Sequence, residues 1–261
     1  MPDTPDSKQI QFDRYYQEIY KERWQTLKTA LLAQTTPVAF QYSPSCQPYY
    51  LDEASVIAAS ALPVREGNTV LDMCAAPGGK SLVLAKKLGN SGSLVCNDRS
   101  SKRRSRLHSV VNSHLDPQMV QRVTITSHDA SKWSLYEQNI YDAVLLDAPC
   151  SSERHLLHDT KAMAQWSPRR TRMLAIQQFA MLASALEAVK AGGYILYSTC
   201  SISPLENEKV VEKLEKKRKG RYEIIDLNLD TAQKCSSGQI ILPDSEENLG
   251  PLYFCLIRRT G

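Results

Sequence analysis

The amino-acid sequence predicts a doubly wound α/β fold, in which helices cover both faces of a mostly parallel sheet that has an antiparallel edge strand. Two observations lead to this prediction. Apolar segments of strand length alternate with helix-forming segments from about residue 69 onwards, and some, such as 143–146, are continuous apolar runs typical of buried parallel strands. The chain has 261 residues, 42% of them hydrophobic, which is enough for one sizeable core and a small appendage.

The first fifty residues are predicted to form a helical extension and a loop. Residues 1–10 are polar and predict a frayed tail, whereas residues 12–32 place aromatic and aliphatic side chains on one helical stripe. We therefore expect one helix there, packed on the main domain. Residues 33–51 contain three prolines and three tyrosines, a composition typical of an ordered loop. The chain is accordingly divided into an extension, residues 1–50, and a larger domain, residues 51–261.

The larger domain is predicted to start with a helix at 52–62, which Asp52 caps, and then to alternate strands with helices. The predicted strands of this alternation are 69–74, 93–98, 123–130, 141–147 and 194–199. The predicted helices are 81–88, 100–115, 169–189 and 204–219, the last with a proline in its first turn. Two final strands, 222–227 and 251–259, are expected to form an antiparallel pair at the sheet edge.

Basic residues are concentrated in three segments, although the net charge is only +4. Such segments could contact a polyanion, or they could simply be solvated helix faces. The three sets are Arg99, Lys102, Arg103, Arg104 and Arg106; Arg169, Arg170 and Arg172; and Lys213, Lys216, Lys217, Arg218, Lys219 and Arg221.

The seven cysteines indicate reduced thiols in a cytosolic protein. Their number is odd and no two of them are spaced as CxxC, which argues against a disulfide framework and against a zinc site. His155 and His158 stand at helical spacing, but no second pair of ligands accompanies them. We therefore predict no metal.

No targeting or membrane segment is visible in the sequence. The N-terminus is polar and acidic, without the apolar core of a secretory signal or the arginine-rich pattern of a transit peptide. No apolar run approaches the length of a membrane span. We therefore expect a cytoplasmic protein without membrane contacts.

The first predicted strand ends in a turn of small residues, DMCAAPGGKS, at 72–81. A strand that runs through such a turn into a helix lets a ligand approach backbone amides, and the helix N-terminus favours an anionic group. A dinucleotide fold would carry GxGxxG here, whereas this turn has only Gly78 and Gly79. A pyrophosphate is therefore disfavoured, and a smaller ligand with one carboxylate fits as well.

Two acidic residues end the next two predicted strands. Asp98 lies twenty residues after Gly78, where a carboxylate accepts hydrogen bonds from ribose hydroxyls, and Asp129 could hold an adenine amino group. Each aspartate alone could equally be a turn former. Together with the glycine turn, they indicate an adenosyl ligand without phosphates, namely S-adenosylmethionine.

Two cysteines follow the fourth and fifth predicted strands, in the sequences DAPC and STC. Since the carboxyl ends of parallel strands meet at one edge of a sheet, Cys150 and Cys200 are expected to face one pocket. The alternative is that both are inert thiols packed as small hydrophobes. That alternative is the better interpretation of the thiols of Cys74, Cys96 and Cys255, which lie within predicted strands.

The sequence resembles the Nop/Sun family of RNA cytosine C5-methyltransferases. DMCAAPGGK, ND at 97–98, DAPCS and STCS occur in the order and spacing of that family, and the resemblance covers residues 49–208. SSERHLLHD, YSTCSISPLENE and GPLYFCLIRR are similar to segments of its mitochondrial small-subunit ribosomal RNA branch. One departure is Ser152-Glu153-Arg154, where most of the family has a glycine-rich GTG; it should matter little to the chemistry but could alter an RNA-facing loop.

The resemblance implies a class I methyltransferase fold of Rossmann type and S-adenosylmethionine as cofactor. It implies Cys200 as nucleophile, Cys150 as the second cysteine, and Asp147 and Lys80 as further catalytic residues, with Asp72 nearby. The implied cofactor-binding residues are Cys74, Ala75, Ala76, Pro77, Gly78, Gly79, Lys80, Asp98, Arg103, Asp129, Ala130 and Asp147.

The chemistry of cytosine methylation requires these residue types. Carbon 5 of cytosine is a poor nucleophile until a group adds to carbon 6, and a thiolate is the side chain best suited to adding there reversibly. Cys200 would add, Asp147 would stabilise the adduct at N3, and carbon 5 would then take the methyl group. Release requires removal of the carbon 5 proton, in which the family assigns Cys150 a role either as base or as promoter of elimination.

Two other functions remain open from the sequence. One is an amino-group methyltransferase, although DAPC supplies a thiol where that class has an aromatic residue after Pro-Pro. The other is an RNA-binding ribosome-assembly factor on a methyltransferase fold, against which the intact catalytic residues count. Trp166, Pro168 and the arginines that follow could stack on RNA, or Trp166 could simply fasten a helix.

The expected substrate is a structured RNA, and small-subunit ribosomal RNA is the favoured candidate. No separate RNA-binding domain is visible, so the basic segments or a partner protein would have to hold the substrate. We expect a monomer whose RNA affinity falls with salt and weakens on charge reversal at Arg103 and Arg106.

Overall fold

A nine-stranded sheet organises the computed structural model, which describes residues 5–245 and 249–261. Strands β3 to β7 are parallel, and the predicted doubly wound sheet with an antiparallel end is confirmed. The order is β5-β4-β3-β6-β7-β11-β10-β9, with β8 also paired to β11. The strands of this sheet are β3 (Thr69–Asp72), β4 (Ser93–Asn97), β5 (Val123–Thr126), β6 (Tyr141–Asp147), β7 (Val189–Thr199), β8 (Tyr222–Ile225), β9 (Gln233–Lys234), β10 (Gln239–Ile241) and β11 (Leu252–Arg259).

Helices connect these strands, and most of the long ones lie close to their predicted positions. The helices are α1 (Pro5–Tyr20), α2 (Trp24–Leu32), α3 (Glu53–Ala61), α4 (Gly79–Leu88), α5 (Ser101–His114), α6 (Pro117–Val120), α7 (Glu153–His158), α8 (Thr160–Ala164), α9 (Pro168–Ala188) and α10 (Glu208–Arg218). The expected start of the last helix at Pro204 is wrong, because 204–207 form a turn before α10. Among the described residues, no helix is long and apolar enough to cross a bilayer.

Two separate apolar cores lie on the two faces of the sheet. Val144 and Leu146 of β6 belong to the core that includes α9 and α10, whereas Ala143 and Leu145 belong to the core that includes α3, α4 and α5. Successive side chains of a strand point to opposite faces, so a strand buried on both sides must be apolar throughout. The continuous apolar run that predicted this strand therefore reflects burial on both faces.

The N-terminal extension differs from its prediction at both ends. Instead of one helix over 12–32, α1 and α2 are separated by a short turn in which Lys21 has a left-handed backbone with φ 55°. Residues 5–10, predicted as part of a frayed tail, belong to α1, while 1–4 lie outside the described residues. The expected packing on the main domain is confirmed, because Phe12 and Tyr16 are fully buried in the same core as α9.

The segment 33–51, predicted as a loop, contains a β-hairpin. Strand β1 (Val38–Phe40) pairs with the antiparallel β2 (Tyr49–Leu51). The hairpin is fastened where its Tyr49 ring meets His114 of α5, with ring centroids 5.2 Å apart. The hairpin therefore packs on the larger domain. The domain boundary at residue 50 stays a prediction.

The antiparallel end of the sheet is wider than predicted. The expected pairing of 222–227 with 251–259 is confirmed as β8 against β11. However, β11 is not an edge strand, because β7 pairs with its other side and β10 and β9 extend the sheet beyond it. The strands β9 and β10 were missed, since two or three residues give no readable alternation pattern.

Trp166 is part of the core and is 1% exposed, so its interpretation as a residue that fastens a helix is confirmed and its proposed stacking on RNA is wrong. Its ring contacts Phe12 at 5.0 Å and Tyr15 at 5.5 Å between centroids, which joins α1 to the segment before α9.

We expect Trp166→Ala to lower the free energy of unfolding by about 3–5 kcal/mol, because it leaves a cavity between α1 and the main domain. Denaturant unfolding followed by the circular dichroism of the helices measures this change, because that signal does not depend on the tryptophan that is removed. Ile176→Ala, on the exposed side of α9, is the matched control and should change stability by at most about 0.5 kcal/mol. Equal effects of the two substitutions would contradict the packing described.

Candidate active site

The carboxyl ends of four parallel strands meet at one edge of the sheet and supply the candidate site. β3 ends in Asp72, β4 is followed by Asp98, β6 ends in Asp147 and β7 is followed by Cys200. β3 lies between β4 and β6, so the connections that follow β3 and β5 run to opposite sides of it. This makes the end of β3 a topological switch point, which is where open α/β sheets bind their ligands. The edge predicted from the sequence is thus the edge that forms.

The small-residue turn after β3 brings backbone close to neighbouring side chains. Gly78 has φ +123°, and a Cβ atom there would lie 2.9 Å from Cγ1 of Val110. At Gly79, the first residue of α4, a Cβ atom would lie 2.9 Å from the Tyr49 ring of the hairpin. Glycine is required at both positions for space, and at Gly78 also for its backbone conformation.

Lys80 and Asp147 form an ion pair at the centre of the site. Lys80 Nζ donates to Asp147 Oδ2 at 2.8 Å, and Ser198 Oγ of the adjacent strand donates to Asp147 Oδ1 at 2.9 Å. Burial acts to lower the pKa of Lys80, but the charge and the hydrogen bond of Asp147 outweigh it and raise that pKa overall. Lys80 is therefore held as an ammonium group beside the carboxylate.

The two cysteines meet at the ends of β6 and β7, although of the two only Cys200 lines the cavity at this edge. Cys150 Sγ and Cys200 Sγ are 3.2 Å apart, within hydrogen-bonding distance for sulfur. Ser152 Oγ contacts both thiols, at 3.4 Å from Cys150 and 3.1 Å from Cys200. Ser152 occupies a left-handed backbone conformation with φ 54°, which explains why glycine is tolerated at this position in the resembling family.

The two thiols are not equivalent. The hydrogen bond from Cys150 is the main cause that lowers the pKa of Cys200, with a second contribution from Ser152 and an opposing one from burial. The same pairing, together with burial, raises the pKa of Cys150 well above its usual value. Cys200 is exposed to the site while Cys150 is half-buried. Cys200 is therefore the thiol that ionises first and that can reach a ligand.

Asp72 is buried with one unpartnered oxygen. Ser81 Oγ donates to its Oδ2 at 2.7 Å, whereas Oδ1 has no partner among the described residues. Burial raises the pKa of Asp72 to about 7, and the hydrogen bond from Ser81 acts in the opposite direction. A buried acceptor without a donor indicates that a ligand group completes it.

The predicted ribose and adenine residues lie around a second part of the edge. Asp98 accepts from the Ser100 backbone amide at 2.8 Å, and its other oxygen is 3.4 Å from Arg103 Nη1. Asp129 caps the turn after β5 through Ser131, whose hydrogen bond lowers the pKa of Asp129. Asp98 and Asp129 therefore also serve the local turns, as the alternative interpretation expected.

Three cavities join these groups into one trough. One of about 150 Å³ is lined by Cys74, Asp98, Arg103, Asp129 and Ala130 among others. One of about 110 Å³ is lined by Cys74 to Pro77, Gly79, Lys80, Asp72 and Asp147. The third, of about 480 Å³, contains Lys80, Asp147 and Cys200. Cys74 is shared by the first two, and Lys80 and Asp147 by the last two, so the cavities follow one another. Of the predicted binding residues, Gly78 is absent from these linings and serves the turn.

Asn97 is a positioning residue that the sequence analysis missed. Its side-chain amide donates to Met73 O at 2.9 Å and to His128 O at 3.1 Å, and its Oδ1 accepts from His128 N at 2.7 Å. It therefore fastens the ends of β3 and β5 to β4. The signal available in the sequence was a polar residue at the end of the strand, directly before Asp98.

Comparison with known proteins identifies the family. Residues 59–257 match the family model described as 16S rRNA methyltransferase RsmB/F, which is about three quarters of the chain. The chain belongs to the RsmB/F methyltransferase family. This confirms the resemblance found in the sequence motifs and the methyltransferase type of the fold.

Relatives and solved structures agree with the RsmB/F assignment. The chain is 41% identical over 229 residues to the bovine 5-cytosine rRNA methyltransferase NSUN4, covering 81% of this chain and 59% of that protein. The corresponding mouse protein is 39% identical over 229 residues, covering 81% and 60%. The chain thus spans about 60% of the length of these relatives.

Two solved structures from Pyrococcus horikoshii share the fold. NSun6, crystallised with SFG, is 25% identical with a TM-score of 0.69, covering 82% of this chain and 54% of that one. A methyltransferase homologue is 21% identical with a TM-score of 0.75, covering 94% and 93%.

No metal centre is found in the part of the chain that the structure describes, where no three His, Cys, Asp or Glu side chains could hold an ion together. His155 and His158 instead line the large cavity.

We expect Cys150→Ala to raise the pKa of Cys200, because the thiolate loses its principal hydrogen-bond donor. The pH dependence of Cys200 alkylation by iodoacetamide, followed by peptide mass spectrometry, measures this shift as a higher midpoint. Cys235→Ala, a half-buried cysteine in another cavity, is the control and should leave the midpoint unchanged. An unchanged midpoint in Cys150→Ala would show that the sulfur contact does not tune Cys200.

Proposed function

We propose that this protein is an S-adenosylmethionine-dependent RNA cytosine C5-methyltransferase that acts on ribosomal RNA through a covalent cysteine adduct. The observation that supports this most is the pair of thiols 3.2 Å apart, of which Cys200 faces the same cavity as the Lys80–Asp147 pair. The bovine and mouse relatives named as 5-cytosine rRNA methyltransferases support the same activity and substrate.

The smaller cavities fit S-adenosylmethionine, which supplies an electrophilic methyl group when bound. The unpartnered Asp72 Oδ1 suits an ammonium group such as that of the methionine part. The backbone of Cys74 to Pro77 borders the same space, and the N-terminus of α4 follows directly. Asp98 and Asp129 lie farther along the trough, where ribose and adenine would be held.

The larger cavity suits a cytosine that has left its stack. Cys200, as thiolate, forms the bond to carbon 6, and electron density moves from the 5,6 double bond toward N3. The Lys80 ammonium group and Asp147, 2.8 Å from each other, stand where they stabilise that charge and exchange a proton with the base. Carbon 5 then becomes nucleophilic toward the methyl group.

Release of the product needs a proton acceptor near carbon 5. After methylation, that carbon carries both a proton and the new methyl group; loss of the proton restores the double bond and expels Cys200 as thiolate. Cys150 lies beside Cys200, 3.2 Å away, where it can take part in this step, and its raised pKa keeps it as a thiol beside the Cys200 thiolate before addition. Its role as base or as promoter of elimination stays open.

The amino-group methyltransferase alternative finds less support in the cavity. None of the described residues that line the large cavity is Phe, Tyr or Trp, so no aromatic wall faces the base. An assembly factor without activity would not need the thiol pairing that lowers the pKa of Cys200.

Two of the three basic segments lie at the edge of the sheet that carries the site. α5 starts there, after β4, with Lys102 and Arg106 exposed in its first turns, and α9 starts there with its arginines exposed. The third segment covers the second half of α10 and the residues just after it, toward the opposite end of the strands. We therefore assign RNA binding to the first two segments.

Location and assembly stay predictions. The sequence predicts a cytosolic location, and we keep this as a proposal. One relative, from zebrafish, is named as a mitochondrial tRNA methyltransferase, which gives a second compartment to consider for this protein. A monomer, with or without a partner protein that helps to hold the RNA, is the state we propose.

The covalent mechanism predicts opposite effects of the two cysteine substitutions. With S-adenosylmethionine and ribosomal RNA, Cys150→Ala should accumulate a protein–RNA adduct on a denaturing gel, because release fails after addition. Cys200→Ala should abolish both adduct and methyl transfer, and Cys235→Ala should behave as the unsubstituted protein. Methyl transfer that survives in both Cys150→Ala and Cys200→Ala would reject the thiol mechanism and favour the amino-group alternative.

The assignment of RNA binding to these basic residues predicts that RNA affinity falls as the salt concentration rises. The logarithm of the binding constant should fall against the logarithm of the salt concentration with a slope of about −0.7 for each single-strand phosphate contacted. Charge reversal of Lys102 and Arg106 together should weaken binding and flatten that slope. Arg103 is less suitable for this test than expected, because it bonds Ala76 O at 2.5 Å and Asp98, and its reversal would also disturb the cofactor turn. Reversal of Lys216 and Lys217 is the matched control; binding that is independent of salt would contradict the assignment.

A further inference from the structure

Two buried carboxyl groups, Glu153 and Glu206, lie next to the loops that carry the cysteines. Both residues are 0% exposed. Glu153 is the first residue of α7, and Glu206 lies in the turn before α10. Neither was singled out from the sequence, and neither lines the cavities of the trough described above.

The two carboxyl groups are bridged by the serines that directly follow the cysteines. Ser151 Oγ makes close contacts with Oε1 of both glutamates, and Ser201 Oγ lies 3.1 Å and 3.2 Å from the same two atoms. The Ser151 amide donates to Glu206 at 3.0 Å, and the Ile202 amide donates to Glu153 at 3.0 Å. Each glutamate is therefore bonded to both cysteine loops.

The contacts of Ser151 indicate that at least one of the two carboxyl groups is protonated. The Ser151 hydroxyl carries a single proton and can donate it to only one Oε1, so toward the other carboxyl group it must act as acceptor. That carboxyl group must then be protonated and donate. Ser201 Oγ accepts from the Ser203 amide at 3.0 Å and lies 3.1 Å from Ser151 Oγ, so its one proton likewise serves only one of its neighbours.

Electrostatics leads to the same protonation state. No ion pair found among the described residues involves Glu153 or Glu206. Two buried carboxylates without a cation would be strongly destabilising, and two such groups that share a site retain one proton between them. Burial raises the pKa of Glu206 to about 7, and the negative charge of Glu153 acts in the same direction.

We propose that Glu153 and Glu206 hold a single proton between them and, through the hydroxyls of Ser151 and Ser201, fix the distance between Cys150 and Cys200. Both are thus positioning residues for the proposed reaction. The inference rests on the proposed function only for the roles of the cysteines, since the pair and its bonds exist without substrate.

Other groups that face the pair come from three elements and one loop. Tyr16 of α1 donates to Glu153 at 2.5 Å, and Tyr15 and Tyr20 of the same helix feel its charge. Gln178 of α9 donates to Glu206 at 2.8 Å. Cys150, in the loop after β6, and Tyr197 of β7 also feel the negative charge of Glu206. The positive charge of Arg172 of α9 acts on Tyr15 and lowers its pKa.

Proton linkage tests the shared proton. The folded protein keeps a proton that the unfolded chain releases near the ordinary glutamate pKa of 4.5, so stability should fall as pH rises from there to about 7 and then level off. Denaturant unfolding between those pH values measures this fall. Glu206→Gln should remove the fall, because it removes the group whose pKa is raised. Glu153→Gln should narrow the pH range of the fall, because burial still raises the pKa of Glu206 but the negative charge of Glu153 no longer does. Glu223→Gln, at an exposed ion pair, should leave the fall unchanged.

The outcomes of this test differ clearly. A fall over the same pH range in Glu153→Gln as in the unsubstituted protein would place the proton on Glu206 alone and overturn the sharing. A fall unchanged in both variants would overturn the protonation itself.

Thiol reactivity tests the positioning. Ser151→Ala removes the hydroxyl that makes the closest contacts to both carboxyl groups and leaves Ser201 as the only bridging hydroxyl of the two. The cysteines should then separate, the Cys200 thiolate should lose its donor, and alkylation of Cys200 by iodoacetamide at pH 7 should slow about tenfold. Glu206→Gln keeps a neutral side chain with both donors and acceptors and should retain nearly the original rate. A folded Ser151→Ala protein with the original rate and pH profile would overturn the positioning role. Neither measurement uses RNA or cofactor, so a failure to methylate RNA would be distinguishable from a failure here.

Discussion

The parallel register between β6 and β7 is the constraint on which the site depends. It places Asp147 opposite Ser198, so the hydrogen bond between their side chains lies at the last rung of the ladder. β6 and β7 leave the sheet near this pair of residues. Cys150 follows Asp147 by three residues, and Cys200 follows Ser198 by two. A shift by one residue would turn Asp147 toward the other face of the sheet and would separate the thiols. The chemistry of the site is therefore set by strand pairing before any loop is considered.

The glycine turn and the N-terminal hairpin depend on each other in a similar way. Gly79 leaves room for the ring of Tyr49, and this ring and Leu51 then close one side of the smaller cavity. A larger residue at Gly79 would push the hairpin away and open that cavity to solvent. The end of the hairpin thus helps to shape the proposed cofactor site.

The sequence predicted those parts of the site that local patterns encode. Asp72, Asp147 and Cys200 follow apolar strands, and strand ends can be recognised without knowledge of the fold. Glu153 and Glu206 could not be recognised, because a glutamate is ordinarily exposed and only tertiary contacts bury these two. The break at Lys21 was missed because a lysine gives no local signal for a left-handed conformation. Trp166 shows the converse case, in which composition suggested a surface role and packing decided otherwise.

The reach of α1 into the core has a consequence for how the chain unfolds. Tyr16 contributes a ring to the aromatic cluster around Trp24 and Trp166 and a hydroxyl to Glu153, so one side chain belongs both to the extension and to the cysteine loops. An element held in this way cannot melt as an independent unit. Loss of α1 and disordering of the loops beside Cys150 and Cys200 should therefore be a single cooperative event, in which α1 and these loops belong to one foldon.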